Sequence, residues 1–139
     1  MLRPIMLALA LIVAIPVLSA MLIDTGEVVV LETRDARGHL QETQLWIVDL
    51  DGAQYIRAGN PHTHWADRMR GAPTVGLVRG GAHTDCIAEE VSDPVLVERV
   101  AAAMAAKYGS ADRIWSLASD RAESAVFRLT PAPARRAHP

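Results

Sequence analysis

The chain has 139 residues, which leaves room for one small domain plus an N-terminal segment. Half of the residues are apolar but only 4% are aromatic, so a core has to be built from Val, Leu, Ile and Ala. A net charge of −2 and an isoelectric point near 6.2 argue against nucleic acid as a partner. The single cysteine, Cys86, excludes an internal disulfide and cannot alone form a metal site.

Ile5 to Ile23 is a run of 19 residues without a charge, interrupted only by Pro16 and Ser19. That is close to the roughly 20 residues a helix needs to cross the hydrocarbon core. Arg3 precedes the run, while Asp24 and Glu27 follow it, so the positive-inside rule puts the N-terminus in the cytoplasm and the domain outside. Residues 1–23 are expected to be a single-pass transmembrane anchor. The competing readings are a cleaved signal peptide ending at Val17-Leu18-Ser19-Ala20, which would leave the domain secreted or periplasmic, and a buried helix of the fold. Continuation of the apolar run through Met21-Leu22-Ile23 favours the anchor.

The domain is expected over residues 24–130. Glu27 to Thr33 alternates weakly and is rich in valine, as a strand buried on both faces would be. Asp35-Ala36-Arg37-Gly38 is a turn, leading into a strand over Leu40–Leu50 that carries Trp46. Asp51-Gly52 supplies the positive φ values of a two-residue hairpin turn. The return strand, Ala53–Ala58, puts Tyr55 and Arg57 on one face and Gln54 and Ile56 on the other. Gly59-Asn60-Pro61 ends it, and Thr63 can cap a short helix through Trp65, Met69 and Arg70. Thr74 to Val78 and His83 to Val91 form a second hairpin around Arg79-Gly80-Gly81. Ser92-Asp93-Pro94 starts a helix over Val95–Tyr108 that stops at Gly109, with Leu96, Val100, Ala103 and Met104 as its apolar stripe. A short second helix over Ala111–Leu117 carries Trp115, Ala125–Leu129 closes the sheet, and 131–139 reads as a disordered tail. Strands with a few inserted helices indicate an antiparallel barrel.

The order and spacing of Trp46, Gly52, Tyr55, Arg57, Gly59, Pro61, Trp65, Met69-Arg70, Pro73-Thr74-Val75 and Gly80-Gly81 carry a resemblance. So does the passage from Glu90-Val91-Ser92-Asp93-Pro94 to Ala106-Lys107-Tyr108-Gly109. Together they make residues 26–130 similar to the split β-barrel family of pyridoxamine-phosphate-oxidase-like flavoproteins, in particular its deazaflavin-dependent nitroreductase-like branch. The resemblance implies a mainly β (α+β) split antiparallel β-barrel with one or two covering helices. It also implies a homodimer with FMN or the deazaflavin coenzyme F-420 at its interface, and hydride transfer to a small nitro- or quinone-like acceptor. Members of that branch carry a Gly-Arg-x-Ser-Gly-Lys-x-Arg type of turn before the Trp strand. Here the stretch keeps Gly38, has His39 at the lysine position and Gln41 at the last arginine position, and leaves Arg37 to compensate.

A flavin-type cofactor needs donors for its phosphate and an apolar wall for its ring. The candidate donors are Arg37, His39, Arg57, Arg68 and Arg70, with Asn60 and the loop amides beside it; arginine suits phosphate because its planar fork donates two parallel bonds. Trp46, Tyr55 and Trp65 are candidates for the ring wall. The opposing reading makes the arginines solvated rim charges and the aromatics core residues. His62-Thr63-His64 could offer an axial ligand to haem, although no spaced four-ligand set suggests a metal centre. A histidine, Tyr55 or Tyr108 could donate a proton, and spacing selects none of them. Cys86, flanked by Asp85, is no nucleophile, and no Ser-His-Asp, phosphate-loop or dinucleotide motif occurs. The leading expectation is therefore a membrane-anchored flavin- or deazaflavin-dependent oxidoreductase. The alternatives are a non-catalytic split-barrel binding module and a haem-binding protein.

Overall fold

Alternating apolar residues broken by tight turns give the chain its strands. The computed structural model describes residues 26–109 and 124–134. The strands are β1 (Val28–Arg34), β2 (Leu40–Leu50), β3 (Ala53–Ala58), β4 (Thr74–Arg79), β5 (Ala82–Glu90) and β6 (Ala125–Pro131). Helix α1 (His64–Gly71) lies between β3 and β4, and α2 (Pro94–Tyr108) follows β5. All strand pairs are antiparallel, and the order β1-β2-β3-β6-β5-β4 closes on itself as a barrel. Asp51 and Gly52 sit at φ 52° and 77°, as a two-residue hairpin whose twist matches its strands requires.

One face of each strand fills the barrel. Val29 and Leu31 from β1, Ile56 from β3, Leu77 from β4, Cys86 from β5 and Phe127 and Leu129 from β6 form the interior cluster. Trp65, Ala66 and Met69 of α1 join it, so this helix plugs the end of the barrel where β3 finishes and β4 begins. A second cluster lies outside the barrel, where Val100, Met104 and Tyr108 of α2 pack on Val48, Tyr55 and Val126. Asp93 caps α2 by accepting the Val95 N–H at 3.0 Å, and Pro94 occupies the first turn, where a missing N–H costs nothing.

Three local expectations change. Thr63 precedes α1 but its side chain makes no capping bond, because the hydroxyl is turned into the buried side of the loop. The first strand is fully buried on one face only, with Val29, Leu31 and Thr33 inside and Val30 and Glu32 partly covered. The last strand runs on to Pro131, which pairs with Cys86, and the Ala132 N–H donates to the Asp85 carbonyl at 2.8 Å. The apolar run at residues 1–23 and the helix over Ala111–Leu117 lie outside the described residues, as does 135–139. Among the described residues no helix is long and apolar enough to cross a membrane.

The other barrel end is closed by charge. Arg79, at the end of β4, reaches Glu27 with Nε at 2.9 Å and Asp49 of β2 with Nη2 at 2.7 Å. Its Nη1 also donates to Gln54 Oε1 on β3 at 2.9 Å. Hydrogen bonds from Arg79 and then Lys107 hold the Glu27 carboxyl down at about 2, well below its usual 4.5. A carboxylate whose pKa is lower folded than unfolded stabilises fully above the unfolded value and loses that contribution as pH falls through the folded one. Arg79→Met should therefore cost about 2 kcal/mol in urea unfolding at pH 7, a figure discounted for the water that still reaches Asp49. The variant should also lose much of the wild type's fall in stability between pH 4.5 and about 2. Equal acid sensitivity in both proteins would show that Arg79 does not hold Glu27 ionised.

Candidate functional site

Strand β2 changes partner partway along its length. Its first part pairs with β1, from Leu40 opposite Arg34 to Trp46 opposite Val28. Its last part pairs with β3, from Ile47 opposite Ile56 to Leu50 opposite Ala53. Had the β2–β3 ladder gone one step further, Trp46 would face Arg57. Instead β3 continues alongside β6, with Arg57 opposite Val126 and Ala58 opposite Ala125. A cavity of about 300 Å3 opens at this divergence, lined by Val28, Gln44, Leu45, Trp46, Arg57 and, from α2, Met104.

Tyr108 fills a second divergence, where β1 and β2 part. Its hydroxyl sits where β1 and β2 would otherwise make their next bond: the oxygen accepts the Ile47 N–H at 3.1 Å and the proton goes to the Glu27 carbonyl at 2.7 Å. One hydroxyl carries one proton, so the Ile47 carbonyl, 3.0 Å away, takes its main bond from Lys107 Nζ at 2.8 Å. The Tyr108 ring stacks on Trp46, with centroids 4.5 Å apart and planes 9° from parallel. Gly26 lies against the same ring, since a Cβ there would come within 2.8 Å of Tyr108 Cδ1. Beside this apolar wall Arg57 is 9% exposed, and with Thr33 it makes up the buried polar residues of the described chain. The cavity thus combines an indole, aliphatic and thioether walls, a side-chain amide and a guanidinium.

The other candidates are dispersed. Arg37 and His39 are exposed on the β1–β2 turn, which Asp35 organises by accepting both their backbone N–H groups at 2.9 Å. Those bonds, His39's first, hold the Asp35 carboxyl below its usual range. Asn60 is exposed and uses its side-chain oxygen on the His62 N–H. Trp65 belongs to the barrel interior, tilted against Phe127 at 6.1 Å. Arg68 reaches the buried Thr33 hydroxyl with Nε at 2.7 Å. Arg70 is committed to Glu90 through two bonds of 2.8 and 2.9 Å, to Asp67 and to the Pro61 carbonyl. Tyr55 lines a different cavity, on the far side of the Val100 contact. The structure therefore unites Trp46 with Arg57 and does not converge Arg57, Arg68 and Arg70 on one cavity.

His62 and His64 are exposed, and neither lines the Trp46–Arg57 cavity. His83 instead pairs with Glu32 at 2.8 Å, directly over Gly76, where a Cβ would come within 2.8 Å of both side chains. No group of three or more metal-ligating side chains occurs among the described residues. Burial, and then the charge of Asp85, push the Cys86 thiol up, which keeps it unreactive. Sequence reasoning missed Val28, Gln44, Leu45 and Met104 as cavity residues, and the bridging role of Tyr108. A tyrosine ending an amphipathic helix just before a glycine was the available signal for the last. Tyr108→Phe keeps the stack but strips two backbone groups of their partner. It should cost about 1–3 kcal/mol in thermal or urea unfolding and change Trp46 fluorescence; wild-type stability would mean that water replaces the hydroxyl.

No protein-family model matches the sequence, and no curated protein matches it. Solved structures do resemble its fold. The haem storage protein HutZ from Vibrio cholerae matches with a TM-score of 0.63 at 19% identity, over 78% of this chain and 83% of its own. An F420-H2-dependent reductase, FDR-A, matches with a TM-score of 0.60 at 23% identity, over 75% and 94%. A candidate pyridoxamine 5'-phosphate oxidase from Listeria innocua gives 0.60 at 14% identity, over 79% and 87%. With its six-stranded closed sheet and its covering helix, the chain has the split β-barrel fold of the pyridoxamine 5'-phosphate-oxidase-like proteins.

Proposed function

We propose that the cavity between β2 and β3 receives the planar ring of a flavin-type cofactor, FMN or the deazaflavin F-420, and that the protein is an oxidoreductase. The juxtaposition of Trp46 and Arg57 at the point where the ladder stops carries this reading. The residues fit such a group: Trp46 and Met104 would flank the ring, Arg57 would face its electron-rich edge or its phosphate, and Gln44 would bond a ring carbonyl. Bound there, the cofactor would supply hydride transfer to a small organic acceptor of nitro or quinone type. The protein would orient the ring, keep water from one face of it and set the polarity at its edge. The likeness to an F420-H2-dependent reductase and to a candidate pyridoxamine 5'-phosphate oxidase supports the class.

About 300 Å3 is at the small end of ligand sites, enough for a ring system but not for its whole tail. We place the tail against a second copy of the chain, for which Val28, 48% exposed on the cavity rim, is an apolar contact. Residues 1–23 would tether this dimer to a membrane with the domain outside, near lipid-soluble acceptors. The haem alternative rests on likeness to HutZ, since neither His62 nor His64 borders the cavity. The test is an absorption spectrum of the full-length protein after desalting from FMN, F-420 or haemin in turn. Wild type should retain one of the two flavins, and Trp46→Ala and Arg57→Gln should each weaken binding about tenfold, the equivalent of one charge-assisted bond or one stacking contact. Retention of haemin alone, or of nothing, would overturn the reading in favour of a haem protein or a non-catalytic module.

A further inference from the structure

Helix α2 crosses the outer face of β3 and separates two cavities. Tyr55 and Arg57 both point outward from β3, but Arg57 faces the cavity beside Met104, and Tyr55 one beside Leu96 and Arg99. The second cavity measures about 370 Å3 and has no part in the function proposed above. Tyr55 is 3% exposed and lines this cavity, so the partners of its hydroxyl come from the protein, from water or from a ligand. Arg128 of β6 donates to the Tyr55 oxygen twice, from Nε at 3.1 Å and Nη2 at 3.0 Å. Both acceptor positions of the phenol are then filled, and its own proton must be donated elsewhere. No acceptor for that proton occurs among the described residues.

We propose that this cavity is a binding site for a small monocarboxylate with a short apolar body. One carboxylate oxygen takes the Tyr55 proton, and the other lies beside the Arg128 guanidinium, which has further N–H groups beyond the two spent on Tyr55. Val95, 68% exposed, and Leu96 supply the apolar wall. Charge disfavours a dianion. Arg99 is already paired with Asp51, and Asp93 lies at the cavity edge as the helix cap. Glu89, opposite Arg128 across β5 and β6, offsets part of the remaining positive charge. Asp93 and Glu89 make a dianionic phosphate costlier here than a monocarboxylate, which Tyr55 and Arg128 would hold through directed hydrogen bonds.

Benzoate titrated into the full-length protein, followed by NMR, tests the assignment. Saturable shifts at the backbone amides of Ala53 and Leu96 are expected, with no binding of benzyl alcohol, which is the same shape without the charge. Tyr55→Phe removes the donated proton together with the oxygen that receives the two Arg128 N–H groups, and Arg128→Gln removes the guanidinium; each should weaken benzoate at least tenfold. Arg128 lies at the partly exposed rim, so its variant keeps the test decisive should Tyr55→Phe fold poorly. Absence of saturable binding, shifts centred on Trp46 and Arg57, or wild-type affinity in a folded variant would each overturn the proposal. Tighter binding of phenyl phosphate than of benzoate would overturn the carboxylate assignment.

Discussion

The hydroxyl of Tyr108, inserted between Glu27 and Ile47, is the contact on which the arrangement of this barrel depends. Two strands that diverge leave backbone donors and acceptors without partners, and in a covered position each such group is costly. A single phenol answers for two of them, and Lys107 from the preceding helical position answers for a third. The same ring supports the Trp46 indole from behind, so the wall of the cavity and the repair of the ladder are one structure. The Glu27 side chain ties this point to Lys107 and to Arg79, and through Arg79 to β2 and β3. The open seam and the charged barrel end therefore support each other through one residue.

Helix α2 gives the outer face its two environments. Its buried positions, Val100, Met104 and Tyr108, recur every fourth residue and lie along one stripe on β2, β3 and β6. Because side chains alternate along a strand, Tyr55 and Arg57 share the face that the helix crosses, while Ile56 and Ala58 belong to the interior. Two residues that are neighbours on one strand face thus serve separate cavities. Each cavity pairs a basic group with an apolar wall, and the helix is the partition between them.

Much of the fold was legible because its signals are local. Asp51-Gly52 can hardly be anything but a tight hairpin turn, and Asp93-Pro94 announces a helix in two residues. The ordered motif from Trp46 to Gly81, and its continuation to Gly109, pointed to the split barrel. The site was less legible, because its geometry comes from distant partners. Arg70 reads as a free phosphate donor until Glu90, twenty positions on, is found against it. Arg68 looks solvated until it meets the buried Thr33 hydroxyl, thirty-five positions away. Nothing in the residues from Gln44 to Ile47 announces that β2 leaves one partner for another there, since both halves alternate in the same way. Tyr108 read as one of several possible proton donors because a helix pattern shows which side is apolar, not which backbone groups its polar tip will satisfy.

The seam between β1 and β4 has a consequence for how the chain reaches this state. It joins the barrel through three residue pairs, Val30 with Val78 to Glu32 with Gly76, whereas the β1–β2 and β4–β5 ladders have seven and six. Those longer ladders connect strands adjacent in sequence, and β1–β3 and β4–β5 are each complete as local pieces. Closing the ring needs β6, which pairs with both pieces, and the short seam, whose partners lie more than forty residues apart. Loop-closure entropy must be overcome before such distant contacts contribute, so two preformed halves meeting late, with β6 as the stave between them, is the order of assembly that this topology favours.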